Sequence, residues 1–155
     1  MPNTVRENIF ANLKTTLETI VAGATYDNTV AEVRRYNIND QALGSYPLIV
    51  ITPGTETGND EAFPLLKCVL EVILEVWISP AEDETTATDT LLNSLLGDIK
   101  RSLMQDITRG GYAVDTTVGT LVEPFESLRG QAEAGYFITV KIEYRHDQTN
   151  PKTVR

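Results

Sequence analysis

The chain has 155 residues, 41% hydrophobic and 23% charged, which suits one folded domain with its own core. Its 22 acidic residues against 13 basic ones give a net charge of −9, which argues against binding nucleic acid through a broad basic surface but suits a wall past which DNA slides without sticking. One cysteine and one histidine leave no basis for metal sites built on those ligands, no apolar run suits a bilayer, and the start MPNTVRENIF lacks the pattern of a signal peptide, so synthesis in a reducing interior is the expectation.

Residues 4–22 predict an amphipathic helix. Thr4 and Glu7 have capping-box spacing, Val5, Ile9, Leu13, Leu17, Ile20 and Val21 recur at helical intervals, and Gly23 is placed to end the helix. Residues 29–36 (TVAEVRRY) predict a polar strand, and 37–45 a loop rich in turn formers. Residues 48–52 (LIVIT) predict a short buried strand stopped by Pro53-Gly54. Residues 55–64 (TETGNDEAFP) predict an exposed, mobile acidic loop.

The stretch 65–79, LLKCVLEVILEVWIS, is the most informative. As a strand it places Leu66, Cys68, Leu70, Val72, Leu74, Val76 and Ile78 on one wholly apolar face. Leu65, Lys67, Val69, Glu71, Ile73, Glu75 and Trp77 form the other. That second face holds too much apolar surface for solvent and too many charges for a core, so it suits contact with another subunit. Cys68 reads as a small buried hydrophobe rather than a nucleophile.

Residues 81–106 open with Glu82, Asp83 and Glu84, which complement a helix dipole, and continue with a stripe of Leu92, Leu95, Leu96, Ile99, Leu103 and Ile107. Gly97 marks a position of close packing, and Gly110-Gly111 ends the segment. Residues 112–125 predict one or two short strands broken at Pro124, and 127–133 a loop. Residues 135–146 (GYFITVKIEYRH) predict a last strand, with Tyr136, Ile138, Val140, Ile142 and Tyr144 on its apolar face. Phe137, Thr139, Lys141, Glu143 and Arg145 lie on its mixed face. The tail 147–155 is polar and predicted to be loose. The order gives one α+β domain over 1–155: a mainly antiparallel sheet with two amphipathic helices packed on one face.

Residues that would carry chemistry are few. His146 stands beside Arg145 and Asp147 at a strand end without a nucleophile, and reads as an exposed structural histidine. Glu56, Asp60 and Glu61, like Glu82, Asp83 and Glu84, form acidic loops without EF-hand spacing. Glu71 and Glu75 share a face and are open to three readings: paired carboxylates, pore lining, or salt bridges to another subunit. There is no Walker loop, dinucleotide fingerprint or nucleophile elbow. Arg109-Gly110-Gly111 is too short for a phosphate cradle, and Arg34-Arg35 suits a partner-facing salt bridge. Neither catalytic residues nor cofactors are expected.

The layout nevertheless resembles a known family. An amphipathic helix leads to the Arg-bearing strand VAEVRRY, then to YPLIVITPG and an acidic loop. LKCVLEVILEVWIS, the acid-led helix DETTATDTLLNSLLGDIKRSLMQD and the final strand FITVKIEYRH follow. This order is similar to that of the tail terminator proteins of long-tailed bacteriophages, the lambda-like class and its relatives. The resemblance covers most of the chain and is one of pattern and order. It implies a virion protein, made in the host cytoplasm, that forms a homo-oligomeric ring, a hexamer. The ring would sit on the last ring of tail-tube protein at the head–tail junction, end tube polymerisation and offer the surface that meets the head–tail connector. Genomic DNA would pass through its lumen without specific binding, and no membrane is involved.

Strand parity gives Lys67, Glu71, Glu75 and Trp77 with Lys141, Glu143 and Arg145 as the interface or lumen set. The loops 55–64 and 110–117 are expected to fold onto tube or connector partners. Two other classes compete. A neck, head–tail connector or tail-completion protein would bind the portal side instead of the tube. A small-molecule-binding or regulatory α+β domain would use the mixed sheet face as a ligand cleft. A hydrolase built on Glu71 and Glu75 is a further reading.

Overall fold

The structure, a computed structural model, describes residues 2–36, 44–79, 86–124 and 134–155. The turn formers at 37–43, the acids Glu82, Asp83 and Glu84, and the loop 127–133 lie outside the described residues. Helix α1 (Val5–Glu18) precedes strands β1 (Glu32–Arg35), β2 (Leu48–Asp60) and β3 (Leu65–Ile78). Helix α2 (Thr88–Met104) is followed by β4 (Asp115–Pro124), β5 (Ala134–Asp147) and β6 (Asn150–Val154). The six strands form one sheet in the order β1-β2-β3-β5-β4, with β6 also paired to β5. Only β1 and β2 run parallel; the other pairings are antiparallel. This is the α+β architecture expected from the sequence.

Strand β3 is the centre of the design. Cys68, Leu70, Val72, Leu74, Val76 and Ile78 are buried, and every alternate residue between them is half-buried. The buried set joins Ile138, Val140, Ile142 and Tyr144 of β5 and Ile49 and Ile51 of β2 in one core. Val5, Ile9, Leu13 and Leu17 of α1 and Leu92, Leu95, Ile99 and Leu103 of α2 complete it. Both helices therefore cover the same face, and the dispersion and hydrophobic terms of the fold lie between them and the sheet.

Several boundaries differ from the sequence reading. At the start of α1 the Thr4 hydroxyl accepts from the Glu7 N–H at 3.1 Å. The Glu7 carboxylate does not return to Thr4; it takes both terminal nitrogens of Arg35 at 3.1 Å each. Helix α1 ends at Glu18, short of Gly23, because Thr19 bends back to the Thr16 carbonyl through both its N–H (3.1 Å) and its hydroxyl (2.6 Å). Pro53-Gly54 does not stop β2. The register shifts between Pro53 and Glu56 and pairing resumes through Asp60, so the predicted loop at 55–60 is strand. Glycine is required there, since a Cβ on Gly54 would lie 2.8 Å from the Glu71 carbonyl oxygen.

In α2, Gly97 is exposed with nothing within 4 Å of an added Cβ, so it marks no close packing. Leu96 is half-buried, and Ile107 falls beyond the helix, 40% exposed. Residues 115–117 lie in β4, paired to β5, rather than in a loop. The tail is also ordered: β6 pairs with β5, and the Asp147 carboxylate accepts from the Thr149 N–H and hydroxyl and from Arg155. The Thr149 hydroxyl and the Arg155 guanidinium hold that carboxyl well below the usual range.

Two buried polar groups that the sequence reading passed over fasten the helical layer. Asp98 sits at a stripe position of α2 and accepts from the Asp27 N–H, the Asn28 N–H at 2.8 Å and the Asn28 side-chain amide at 2.8 Å. Arg109 is 0% exposed with a left-handed φ of 50°, and donates to the Leu103 and Asp106 carbonyls at the end of α2. Arg109-Gly110-Gly111 is thus a helix terminus, stabilising carbonyls the helix leaves open.

Candidate functional site

The face of the sheet opposite the helices is covered by no other described element. Strand β3 contributes Lys67, Val69, Glu71, Ile73, Glu75 and Trp77 to it. In register beside them on β5 stand Arg145, Glu143, Lys141, Thr139, Phe137 and Gly135. All seven sequence-predicted site residues lie on this open face, as strand parity requires. They divide into two unlike halves.

The half toward the start of β3 is a lattice of charges that satisfy one another. Lys67 Nζ lies 3.0 Å from Glu143, Lys141 Nζ lies 3.6 Å from Glu71, and Arg145 lies 3.6 Å from Glu61. Each pair is about a third exposed or more, so each contributes little to stability on its own. Their chief effect is on register: Lys67 stands directly opposite Arg145, an unfavourable like-charge pair that is offset only because Lys67 reaches diagonally to Glu143 and Arg145 to Glu61, while Glu71 stands opposite Lys141.

The half toward the end of β3 sets one carboxylate, Glu75, among apolar side chains, with Arg34 of β1 beyond Val50 and Glu123 of β4 beyond Phe137 at its margins. Glu75 is flanked by Val50 on β2 and Phe137 on β5, with Ile73 and Trp77 above and below it on its own strand. Leu121 on β4, opposite Thr139, is 52% exposed. Burial pushes the Glu75 carboxyl up, and a hydrogen bond from the Trp77 side chain only partly offsets this. A carboxylate in such surroundings takes up a proton more readily as water is removed further, so covering this half with another surface favours its neutral form.

Glu71 and Glu75 do not form a catalytic pair. Four residues apart on one strand, their Cα atoms are about 13 Å apart, and each has its own partner, Lys141 for Glu71 and Trp77 for Glu75. A hollow of about 190 Å³ on this face is lined by Val69, Asp115, Thr117, Lys141 and Glu143.

A second polar cluster, which the sequence reading missed, surrounds the start of α1. The guanidinium carbons of Arg6 and Arg35 lie 5.7 and 4.9 Å from the centre of the Phe10 ring. Arg35 holds the Glu7 carboxyl below its usual value through their hydrogen bonds. Beside them, the Tyr144 hydroxyl donates to Glu56 at 2.6 Å and Arg6 approaches the same carboxylate at 3.7 Å. His146 stacks on Tyr144 with ring centres 6.0 Å apart, and is half-buried rather than exposed. Burial and the adjacent Glu56 push the Tyr144 hydroxyl and the Cys68 thiol up, so neither is an ionised nucleophile at neutral pH. Arg6, Glu56, Tyr144 and His146 line a cleft of about 270 Å³.

Among the described residues no group of three or more His, Cys, Asp or Glu is arranged to hold a metal ion, and no helix is long and apolar enough to cross a membrane. The chain matches no protein-family model, and no curated protein matches its sequence.

Proposed function

We infer that this chain is a structural ring protein of the tail-terminator kind. It would sit at the head-proximal end of a phage tail, end tail-tube polymerisation and present the surface to which the head attaches. Its work is contact rather than chemistry. The observation that carries this reading is the apolar half of the open face. Val50, Ile73, Trp77 and Phe137 surround a carboxylate that burial already disfavours, on a sheet face that no described element covers. The acidic balance of the chain suits a lumen through which DNA passes without sticking.

The test is tube assembly in vitro with the chain added to purified tail-tube protein. The reading expects shorter tubes capped at one end by a ring with a central hole. Unchanged tube length, with binding to a head–tail connector protein instead, favours the neck or tail-completion reading. A tight small-molecule ligand that raises Tm and leaves the chain monomeric favours a regulatory domain.

A further inference from the structure

The open face is one unpartnered feature of the sheet, and its edges are another. Strand β1 pairs β2 only at Leu48, Ile49, Val50 and Ile51, so the second half of β2 is a sheet edge among the described residues. The Glu61 N–H donates to the Leu65 carbonyl at 3.2 Å, which makes 61 and 65 a hydrogen-bonded pair. Antiparallel ladders alternate such pairs with non-bonded ones. Glu56, Gly58 and Asp60, opposite Leu70, Cys68 and Leu66, therefore turn their N–H and C=O groups away from β3. These three residues form an open, acidic template for another strand.

The opposite edge of the sheet is made by β4 and β6. Strand β4 is blunted: the Asp115 side chain takes the Thr116 N–H at 2.9 Å, the register shifts around Gly119 at φ +74°, and the strand ends on Pro124. Strand β6 also holds a proline, Pro151, and the Asn150 side chain takes the Lys152 N–H at 3.2 Å, but β6 differs from β4 in charge: it carries the Lys152 side chain, with Arg155, held by Asp147, directly after it. It pairs with His146 and Asp147, which face Leu66 and Leu65, and Leu66 faces Asp60. The basic strand and the acidic edge thus lie at the same end of the sheet, on opposite sides. Their directions also match. Strands β2 and β5 both run against β3, and β6 runs against β5, so β6 of one copy laid along β2 of the next is antiparallel without reorienting either sheet.

We propose that the 56–60 edge of β2 receives β6 of a second copy of this chain. The contact is heterologous, one edge meeting a different edge, and successive copies add in one direction. Closure of that series into a ring rests on the function proposed above; the edge pairing does not. Joined in this way, the copies form a continuous sheet and leave the open face free to meet the tube or connector.

Three variants test this by sedimentation velocity and negative-stain electron microscopy of the full chain. Gly58→Pro removes an outward N–H without touching the bonds to β3. Asp60→Lys and Lys152→Glu reverse one charge on each edge. The proposal expects each single variant to weaken self-association at least tenfold with circular dichroism and Tm unchanged, and the Asp60→Lys plus Lys152→Glu double variant to restore it. Variants that all associate like wild type, or a double variant that does not recover, overturn it. Rings from every variant defeat the edge proposal and leave the ring reading standing. Edge-dependent dimers or filaments that never close leave the edge proposal standing and defeat the ring. A wild-type chain that stays monomeric at every concentration, with tube protein present, defeats both.

Discussion

The two faces of β3 are made from alternate residues of one strand, yet they do different work. Leu70, Val72 and Leu74 are 0% exposed beneath the helices. Glu71, Ile73 and Glu75, one residue away on each side, are half-buried on a face with no described cover. The closed face sets whether the chain folds. The open face keeps apolar groups wet in the free chain, which is a standing cost of folding alone and a gain when a partner arrives. A one-residue slip would exchange the two sets, so the charge lattice that fixes register also protects the division.

The comparison breaks most visibly at the closed face. Leu74→Ala leaves a cavity between β3 and the helices and is expected to destabilise the chain by about 3 kcal/mol, read as a lower midpoint in urea unfolding. Any monomer that remains folded should still assemble. An equal loss from an open-face truncation would erase the distinction.

Ile73→Asp is the mirror experiment. It is expected to change stability by less than about 1 kcal/mol while weakening tube capping at least about tenfold, because a charge is then buried in the contact. Unfolding curves and sedimentation of the same sample separate the two effects.

Glu75→Gln sharpens the comparison through pH. Burial lifts the folded-state pKa of Glu75 above its ordinary value of 4.5. Between that value and the lifted one the folded chain binds more protons than the unfolded chain. Stability therefore falls as pH rises through the window and stays lowered above it. The glutamine variant should melt higher than wild type at pH 7, and the gap should close by pH 4. Wild-type assembly should also strengthen as pH falls toward 5, and the variant should lose that dependence.

The smallest effect belongs to the charged half. A double-mutant cycle on Lys67→Ala and Glu143→Ala is expected to give a coupling of about 0.5 kcal/mol, reduced by salt. A coupling several times larger would make the lattice a stability element rather than a register device.

Much of the closed face was legible in the sequence, because period-two alternation in β3 and β5 and the leucine stripe of α2 are local patterns. The seven residues of the open face followed from the same parity. Their division into a charged and an apolar half did not, because it depends on which β5 residue stands opposite each β3 residue. Pro53-Gly54 reads as a stop in sequence and is a bulge in the fold, since only the approach to the Glu71 carbonyl explains the glycine. The Arg6, Phe10 and Arg35 cluster joins a helix to a strand edge and has no local signature. Asp98 did leave a signal: a carboxylate inside an apolar helical stripe marks a buried polar fastening, here to the Asn28 backbone and side chain.

The most direct measurement is negative-stain electron microscopy of wild type and Ile73→Asp side by side, each with tail-tube protein. The account predicts rings capping short tubes for wild type and bare, longer tubes for the variant, with both proteins folded by circular dichroism. Wild-type chain that leaves tubes uncapped, or Ile73→Asp chain that caps them equally well, would contradict the assignment of the open face to assembly.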